Sequence, residues 1–581
     1  MILQALTRLY EDLAAQDKIA QPGWAPAKIS YALCLSADGE PENIVCLMEQ
    51  NKNGKPAPKE IKLPAPVKRT VTILPNFLWD NASYLLGVDG KGKPERAVQC
   101  FDACRKLHTE LLENADSPAA RAICRYFETW RPEQAAAHPA LADCLPDLLG
   151  GANLVFRVDG RFAHEDPALR QAWQRHFNAE SDGPRMPCLI TGKRAPVVLT
   201  HPAVKGVQGA QSSGAALVSF NADAFCSFGR EQNANAPVSK YAAFAYTAAL
   251  NHLLADRDTV QHIGDTTVVC WAEGAERIYQ DTFLASVFGA EPRGLTDNEL
   301  RAAVRRLAEG RPCEGLPIDP QRPFYILGLA PNAARLSVRF FLRDSFGSLM
   351  HNVNEHHERM TITGSRYDYV PLWAMLRETV NLNSRDKAPS PVMAGAAARA
   401  VFGNTPYPAS LLEAVMLRIR AEHDDSDKKT HKITPGRMAI LKAYYLKNPH
   451  KDCPEEVLTV SLNEASTNPA YTLGRLFSVY EAIQQAANPG INATVKDKYF
   501  NSAAATPSRI FPILGNLAQK HLRKLSAGQR IYFDNQLMAL KTILGETLPD
   551  RLTLPQQASF DLGYYHQTQK RYEKKEDKSN V

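Results

Sequence analysis

The chain has 581 residues, 44% of them hydrophobic and 22% charged, with 68 Lys plus Arg against 62 Asp plus Glu. That length accommodates about two to four domains with sizeable cores, and the composition is too apolar for a disordered chain. No apolar run approaches the roughly 18 residues of a transmembrane helix, and MILQALTRLYEDLAAQDK lacks the marks of a signal peptide, so a cytoplasmic protein without a membrane partner is expected. The 11 cysteines are odd in number and scattered. Cys100 and Cys104 are one helical turn apart, but no second pair completes a zinc site, so the thiols are expected to be reduced and no cofactor is implied.

Along the chain, KISYALCLSADGE (28–40) and ENIVCLMEQ (42–50) read as extended segments around an ADGE turn. GKPAPKEIKLPAPVKR (54–69) reads as an exposed Pro- and Lys-rich loop, and RTVTILPNFLWDNASYLLGV (69–88) as β-branched, then aromatic. The spacing predicts helical structure over 95–130 with a stripe of Val98, Phe101, Leu107, Leu111 and Leu112. A further helical stretch follows at 133–150, and short strands over 151–200. Residues 201–236, HPAVKGVQGAQSSGAALVSFNADAFCSFGREQNANA, are rich in Gly, Ser, Asn and Gln and poor in charge. A clear helix is expected over 238–255, then a buried strand in HIGDTTVVCWAEG (262–274). TDNELRAAVRRLAEG is a helix with Thr296 at the cap and Glu299 three residues later. PFYILGLAPNAARLSVRFFLRDSF (323–346) reads as strand, turn, then strand or helix.

From about 370 onward helices dominate. Periodic stretches at 473–487, 508–525 and 529–545 are punctuated by Pro469, Pro489, Pro507 and Pro549. Leu473, Leu476, Phe477, Ile483, Ile513, Leu514, Leu517, Leu522, Leu537, Leu540 and Leu544 are their expected core. The fold class is therefore α+β: a mixed region over 1–370, a helical connection over 371–455 and an all-α bundle over 456–581. After position 427 there are 22 basic and 13 acidic residues, net +9, which leaves −3 of the total +6 for the first 427. A basic surface of this kind suits phosphates or simply solvent. The last residues, KRYEKKEDKSNV, read as a frayed mixed-charge tail.

Catalytic signatures are sparse. TGKRAP (191–196) and GVDGKGK (87–93) lack the spacing of a phosphate-cradling loop. His351, Glu355, His356 and His357 are grouped, but HNVNEHHE has neither order of a zinc-hydrolase helix. The 201–236 segment is more informative. Gly206, Gly209 and Gly214 allow tight turns, and between them stand Gln208, Gln211, Ser212 and Ser213. Lys205, Asn221, Arg230, Gln232, Asn233 and Asn235 are near in sequence. Such a loop can reach base edges in a groove or bind phosphates; as a purely structural loop it would satisfy its own backbone instead. Arg335 and Arg339, four apart after Asn332, offer a basic edge.

Several long stretches in order carry a resemblance. They are PNFLWDNASYLLG (75–87), the segment 201–254 from HPAVKGVQGAQSSG to LNHLL, LGLAPNAARLSVRFF (327–341), TPYPASLLEAVMLRIRAE (405–422) and LGYYHQTQKRY (562–572). Together they resemble the large subunit of type I-C CRISPR surveillance complexes of the Cascade kind. The resemblance implies a non-enzymatic, antiviral ribonucleoprotein subunit. Its partners would be CRISPR RNA, double-stranded target DNA and its displaced strand, other Cascade backbone and small subunits, and a helicase-nuclease. It would recognise the protospacer-adjacent motif (PAM), a short sequence beside the target, while guide pairing supplies most of the specificity.

Within that frame, Asn76, Asn81, Lys205, Gln208, Gln211, Ser212, Ser213, Asn233 and Asn235, with Gln232, are candidates to read the motif; Lys68, Lys205, Arg335 and Arg339 can neutralise phosphates. Lys496, Lys498, Arg509, Lys520, Arg523, Lys524 and Arg530 are candidates for the displaced strand. The 456–581 bundle is similar to a Cascade small subunit, and an internal start near Met438, Val457 or Val460 would release it as a separate product. Two other classes compete: a metal-dependent nuclease using His351–His357, and a scaffold that never reads DNA.

Overall fold

The computed structural model describes residues 1–50, 54, 56–67, 69, 72–90, 92–178, 184–220, 222–291, 296–311, 316–425, 430–491 and 493–572. The fold is α+β, with small sheets and a helical C-terminal region. It divides into two compact units, residues 1–204 with 218–252, and residues 205–217 with 253–581.

The first unit runs α1 (Ile2–Ala15), β1 (Trp24–Ile29), β2 (Tyr31–Leu35), β3 (Pro41–Cys46), β4 (Glu49–Gln50), β5 (Pro56–Ala57), β6 (Lys59–Pro64), β7 (Trp79–Asn81), α2 (Ala82–Leu85), α3 (Pro94–Leu112), α4 (Pro118–Thr129) and α5 (Leu145–Leu149). It continues through β8 (Asn153–Val158), β9 (Arg161–Phe162), α6 (Pro167–Asn178), β10 (Arg185–Pro187), β11 (Arg194–Pro196) and α7 (Lys240–Ala255), whose last residues belong to the second unit.

The main sheet has the order β3-β2-β8-β7, with β9 beside β8; β2 and β8 are parallel and the other pairs antiparallel. Strand alternation divides its side chains between two faces. Leu33, Leu35, Leu154 and Phe156 join a core with Phe101, Ile123, Phe127 and Trp173 of α3, α4 and α6. Ala32, Val155 and Trp79 pack on the other side against Ala27 and Ile29 of β1 and Leu63 of β6. The Trp79 indole N–H donates to the Pro64 carbonyl at 2.8 Å.

Three sequence expectations need correction in this unit. The 54–69 segment is not all loop: β6 pairs with β1 from Trp24↔Pro64 to Ile29↔Lys59. Its period-2 signal is short and flanked by prolines, so it gains order only from the partner strand. Residues 95–130 are helical as expected, in two segments α3 and α4, but Val98 is exposed rather than part of the stripe; the buried stripe of α3 is Ala97, Cys100, Phe101, Cys104, His108 and Leu112. Ser117 caps α4 by accepting from the Ala120 amide, with Pro118 at the first helical position. The 151–200 region holds α6 as well as strands. The Asp166 carboxylate accepts from the Ala168 and Leu169 amides just before Leu169, Ala172 and Trp173 enter the core.

After the 205–217 segment and the end of α7, the second unit continues with the antiparallel meander β12 (Gln261–Ile263), β13 (Thr266–Ala272), β14 (Pro323–Asn332) and β15 (Arg335–Ser345). The expected single strand over 262–274 is thus a hairpin, turned at Gly264 with φ +62°. Between β13 and β14 lie α8 (Arg277–Phe288) and α9 (Asp297–Ala308); α9 carries the predicted Thr296–Glu299 capping box. Next come α10 (Phe346–Met360), α11 (Leu372–Arg377), α12 (Pro391–Phe402), α13 (Ala409–Ala421), α14 (Pro435–Lys447), α15 (Pro469–Ala487), α16 (Val495–Ala505), α17 (Pro507–Leu522), α18 (Ala527–Leu544) and α19 (Leu554–Lys570).

Cys270, Phe324, Ile326 and Phe340 of the sheet share one apolar core with residues from the helices, as far as Phe477 of α15 and Phe560 of α19. Gly328 is required where β14 passes β15, because a Cβ there would stand 2.7 Å from the Phe340 ring. Ile513, expected in the core, is exposed on α17, whereas Leu514 is buried. The tail expected to fray lies, from residue 573 on, outside the described residues, but Lys570 closes α19 and Arg571 is its C-cap.

Candidate nucleic-acid interface

In the second unit the polar 205–217 loop is fixed at several points. Gly206, at φ +92°, passes close to Leu254, where an added Cβ would lie 3.2 Å from the Leu254 Cβ. Buried Val207 and Ala215 anchor the loop, and the Gln208 amide donates to Thr267 Oγ1 on β13 at 3.0 Å. Two turns follow: the Ala210 amide donates to the Val207 carbonyl, and the Gly214 amide to the Gln211 carbonyl. Ala216 then docks on the tip of the β14–β15 hairpin. Its amide donates to the Ala334 carbonyl and its carbonyl accepts from the Leu336 amide, both at 3.0 Å.

Lys205, Gln208, Gln211, Ser212 and Ser213 are left exposed on this backbone. The fold therefore brings the polar loop beside Asn332, half-buried Arg335 and exposed Arg339. The Arg339 guanidinium donates to Asp265 at 2.8 Å, which offsets part of its charge. Ala333 turns the tip at φ +51°, a conformation that costs an L-residue about 1 kcal/mol or more.

The other polar candidates lie in the first unit and are largely spent on the chain itself. Asn233 is buried, its Nδ2 donating to the Leu199 carbonyl at 2.8 Å, while its Oδ1 accepts no hydrogen bond. Asn235 Oδ1 accepts from the Ser227 amide at 2.8 Å, and its Nδ2 donates to the Arg230 and Gln232 carbonyls. These bonds brace a turn in which the Arg230 amide donates to the Ser227 carbonyl, with Phe228 at φ +56° and Gly229 at φ +65°. Positive φ at both central residues is the signature of a type I′ turn. It holds the Phe228 side chain 96% exposed. Sequence reasoning missed Phe228; the only signal was a bulky aromatic before Gly in a charge-poor loop. Gln232 is exposed, with φ +44°.

Asn76 and Asn81 belong to a structural knot. Asn76 is buried, and its Oδ1 accepts from the Val67 amide at 3.0 Å. Its own amide donates to Asp80, which also takes a two-pronged pair of bonds from the Arg69 guanidinium lying 4.0 Å over the Tyr84 ring. Asn81 caps α2, accepting from the Ser83 amide at 3.0 Å. Lys68 and Asn221 lie outside the described residues.

The basic candidates of the helical region separate in the same way. Lys496 is buried, and its Nζ donates to Asp424 at 2.7 Å; that ammonium supports the fold rather than facing solvent. Lys498, Arg509, Lys520, Arg523, Lys524 and Arg530 are exposed. Four of these sit at the end of α17 and the start of α18, and Lys524 also donates to Asn488 Oδ1 at 3.1 Å.

The histidine group does not converge. His356 Nδ1 is 2.7 Å from the Tyr407 hydroxyl, and His357 Nε2 is 2.9 Å from the Ser286 carbonyl. Burial lowers both imidazoles, His357 to about 4. Glu355 pairs with Arg359, and His351 is exposed. Among the described residues no group of three or more His, Cys, Asp or Glu side chains is placed to hold a metal ion.

The sequence model of a family described as CRISPR-associated protein (Cas_Csd1) matches residues 6–572, which span both units. No curated protein gives a significant match. A match of that extent, over the polar loop, the hairpin it docks on and the closing helix, means that the chain belongs to the Cas_Csd1 family of CRISPR-associated proteins.

Proposed function

We propose that this CRISPR-associated, Cascade-type subunit is the non-catalytic large subunit of a type I-C complex. In this reading it works with guide RNA and with backbone and small subunits. It recognises the PAM in duplex DNA, promotes opening and R-loop formation, holds the displaced strand and helps recruit the helicase-nuclease. The observation that carries the reading is the 205–217 loop: short uncharged donors and acceptors on a pinned backbone, beside Arg335 and Arg339. Amide and hydroxyl groups suit the degenerate code of a narrow groove, and the flanking cations suit phosphates. Phe228 suits the opening step, because an apolar side chain on a braced turn can insert at a base step and unstack it. The exposed cations near the α17–α18 connection suit a single strand.

A separate C-terminal product belongs to the same reading. A start at Val457 or Val460 leaves α15–α19 whole, whereas one at Met438 falls inside α14, where Met438 is buried. Intact-mass measurement of the purified complex, finding no such polypeptide, removes that part.

The test is binding of the assembled complex to matched duplexes with and without the adjacent motif. Gln208→Ala and Gln211→Ala should leave assembly intact and cost about tenfold or more in motif preference, the order expected for a lost base contact. Phe228→Ala should keep the preference and slow strand separation, read by a fluorescent base analogue beside the motif. Full preference in both glutamine variants rejects the loop as the reader.

A further inference from the structure

The second unit contains a cavity of about 370 Å³, within the size range of small-ligand sites. Its walls come from the segment after α10, from α11, and from the end of α13 to the start of α14. Three features set it apart from a packing defect. Trp373, 44% exposed, and Tyr367 line it edge to face, with ring centroids 6.2 Å apart. Arg366, Arg377 and His431 line it and are exposed; Arg366 donates to the Tyr367 hydroxyl at 2.6 Å. Glu422 also lines it, at only 7% exposure, and its Oε1 accepts no hydrogen bond.

Glu422 is not a spare charge. Its Oε2 is 3.4 Å from the Arg437 guanidinium and its Oε1 is 3.6 Å from that of Arg418. Glu378, the other carboxylate of the wall, accepts from the Thr434 hydroxyl at 2.8 Å and lies 3.6 Å from Arg437. Both guanidinium contacts are ion-pair contacts and Glu422 is nearly dry, yet its Oε1 still lacks a hydrogen-bond donor. A buried acceptor without a hydrogen bond is costly, and a ligand that supplies the donor recovers that cost.

We propose that this cavity binds a guanine nucleotide unit, the base against Trp373, its donor edge toward Glu422 and its phosphate among Arg366, Arg377 and His431. Guanine is the base that fits. Its Watson–Crick edge offers two adjacent N–H donors to a carboxylate, whereas adenine places a ring acceptor next to its amino group. Stacking on an aromatic ring with hydrogen bonds to that edge is how an extruded base is held. The unit can come from a base lifted out of a single strand or from a free mononucleotide. The site goes beyond the proposed reading of duplex DNA and does not depend on the 205–217 loop.

The test uses the full chain with two single strands of equal length, one all thymidine and one with a single central guanosine, and with dGMP and dAMP. The guanosine strand should bind roughly tenfold tighter than the thymidine strand, the scale of one stacked and recognised base. Trp373→Ala, at an exposed position, should erase the difference, and Glu422→Gln should narrow it. Because Glu422→Gln disturbs a buried ion pair, Arg377→Ala serves as the companion variant and should weaken the guanosine strand. Binding of dGMP with a preference over dAMP supports a free nucleotide as the source; binding of the strand alone supports a lifted base. Equal affinity for the two strands in wild type, or an undiminished guanosine preference in Trp373→Ala, overturns the proposal. Gln208→Ala should leave the guanosine preference unchanged, so failure of the duplex reading and failure of this site are separate results.

Discussion

His108 shows how much of the PNFLWDN stretch is structural. It is wholly buried, stacked on Phe77 at 5.1 Å, and its Nε2 accepts from the Leu78 amide at 2.9 Å. The hydrogen therefore sits on Nδ1, which donates to the Cys104 carbonyl at 2.8 Å. Burial lowers this imidazole to about 4, against an ordinary 6.5. Below 6.5 the unfolded chain takes up a proton that the folded chain refuses until about 4. The stability supplied by neutral His108 is thus full above 6.5 and falls as pH drops toward 4, by on the order of 3 kcal/mol. The melting temperature should decline through that window. His108→Gln, which can still accept from Leu78, should flatten part of the decline; an unaltered slope contradicts the assignment. The asparagines teach a related point. Asn76, Asn81 and Asn235 use on the backbone the same amide groups that could read a base edge. Residue type alone does not separate these uses.

At the scale of elements, the closest packing in the second unit joins α15 to α19. A Cβ on Gly474 would overlap the Phe560 carbonyl, and one on Gly563 the Tyr471 carbonyl, so each glycine admits the other helix's backbone. Tyr564 seals the contact, its hydroxyl donating to Glu481 at 2.6 Å, and Tyr471 is hydrogen-bonded to His566 at 2.9 Å. Gly474→Ala or Gly563→Ala should cost roughly 1–3 kcal/mol or more, because backbone cannot yield as a side chain can. Thermal melting that matches wild type for both would show that the helices part readily. These helices were legible by period, and the prolines at 469 and 507 mark starts correctly. The glycines were not, since a helical glycine reads as a weak point until its partner is known.

At the scale of the whole molecule, charge is the long-range feature. The net +9 after residue 427 includes Lys496, which the fold consumes, and exposed cations on α16–α18, which it leaves to solvent. If the exposed group follows a single strand, neutralising Lys520, Arg523, Lys524 and Arg530 together should make the salt dependence of binding shallower, by roughly 0.7 in the log–log slope per contact removed. Lys496→Ala should instead lower stability and leave the slope alone. Titrating binding against salt separates the two, and a slope unchanged by the fourfold variant removes these residues from the strand path.

Local period, turn chemistry and long ordered motifs suffice for the α+β class, the capping box of α9, the helical C-terminal region and the family. Tertiary structure alone decided which polar residues remain available. Gln208 and Gln211 stay exposed because buried Val207 and Ala215, with Thr267 and the hairpin tip, hold the backbone between them. Asn235 is withdrawn into a turn and presents Phe228 instead, and Glu422 is held in a cavity wall between Arg418, one helical turn before it, and Arg437 from the start of α14. Burial and partner choice depend on contacts between segments far apart in the chain, and no local pattern carries them.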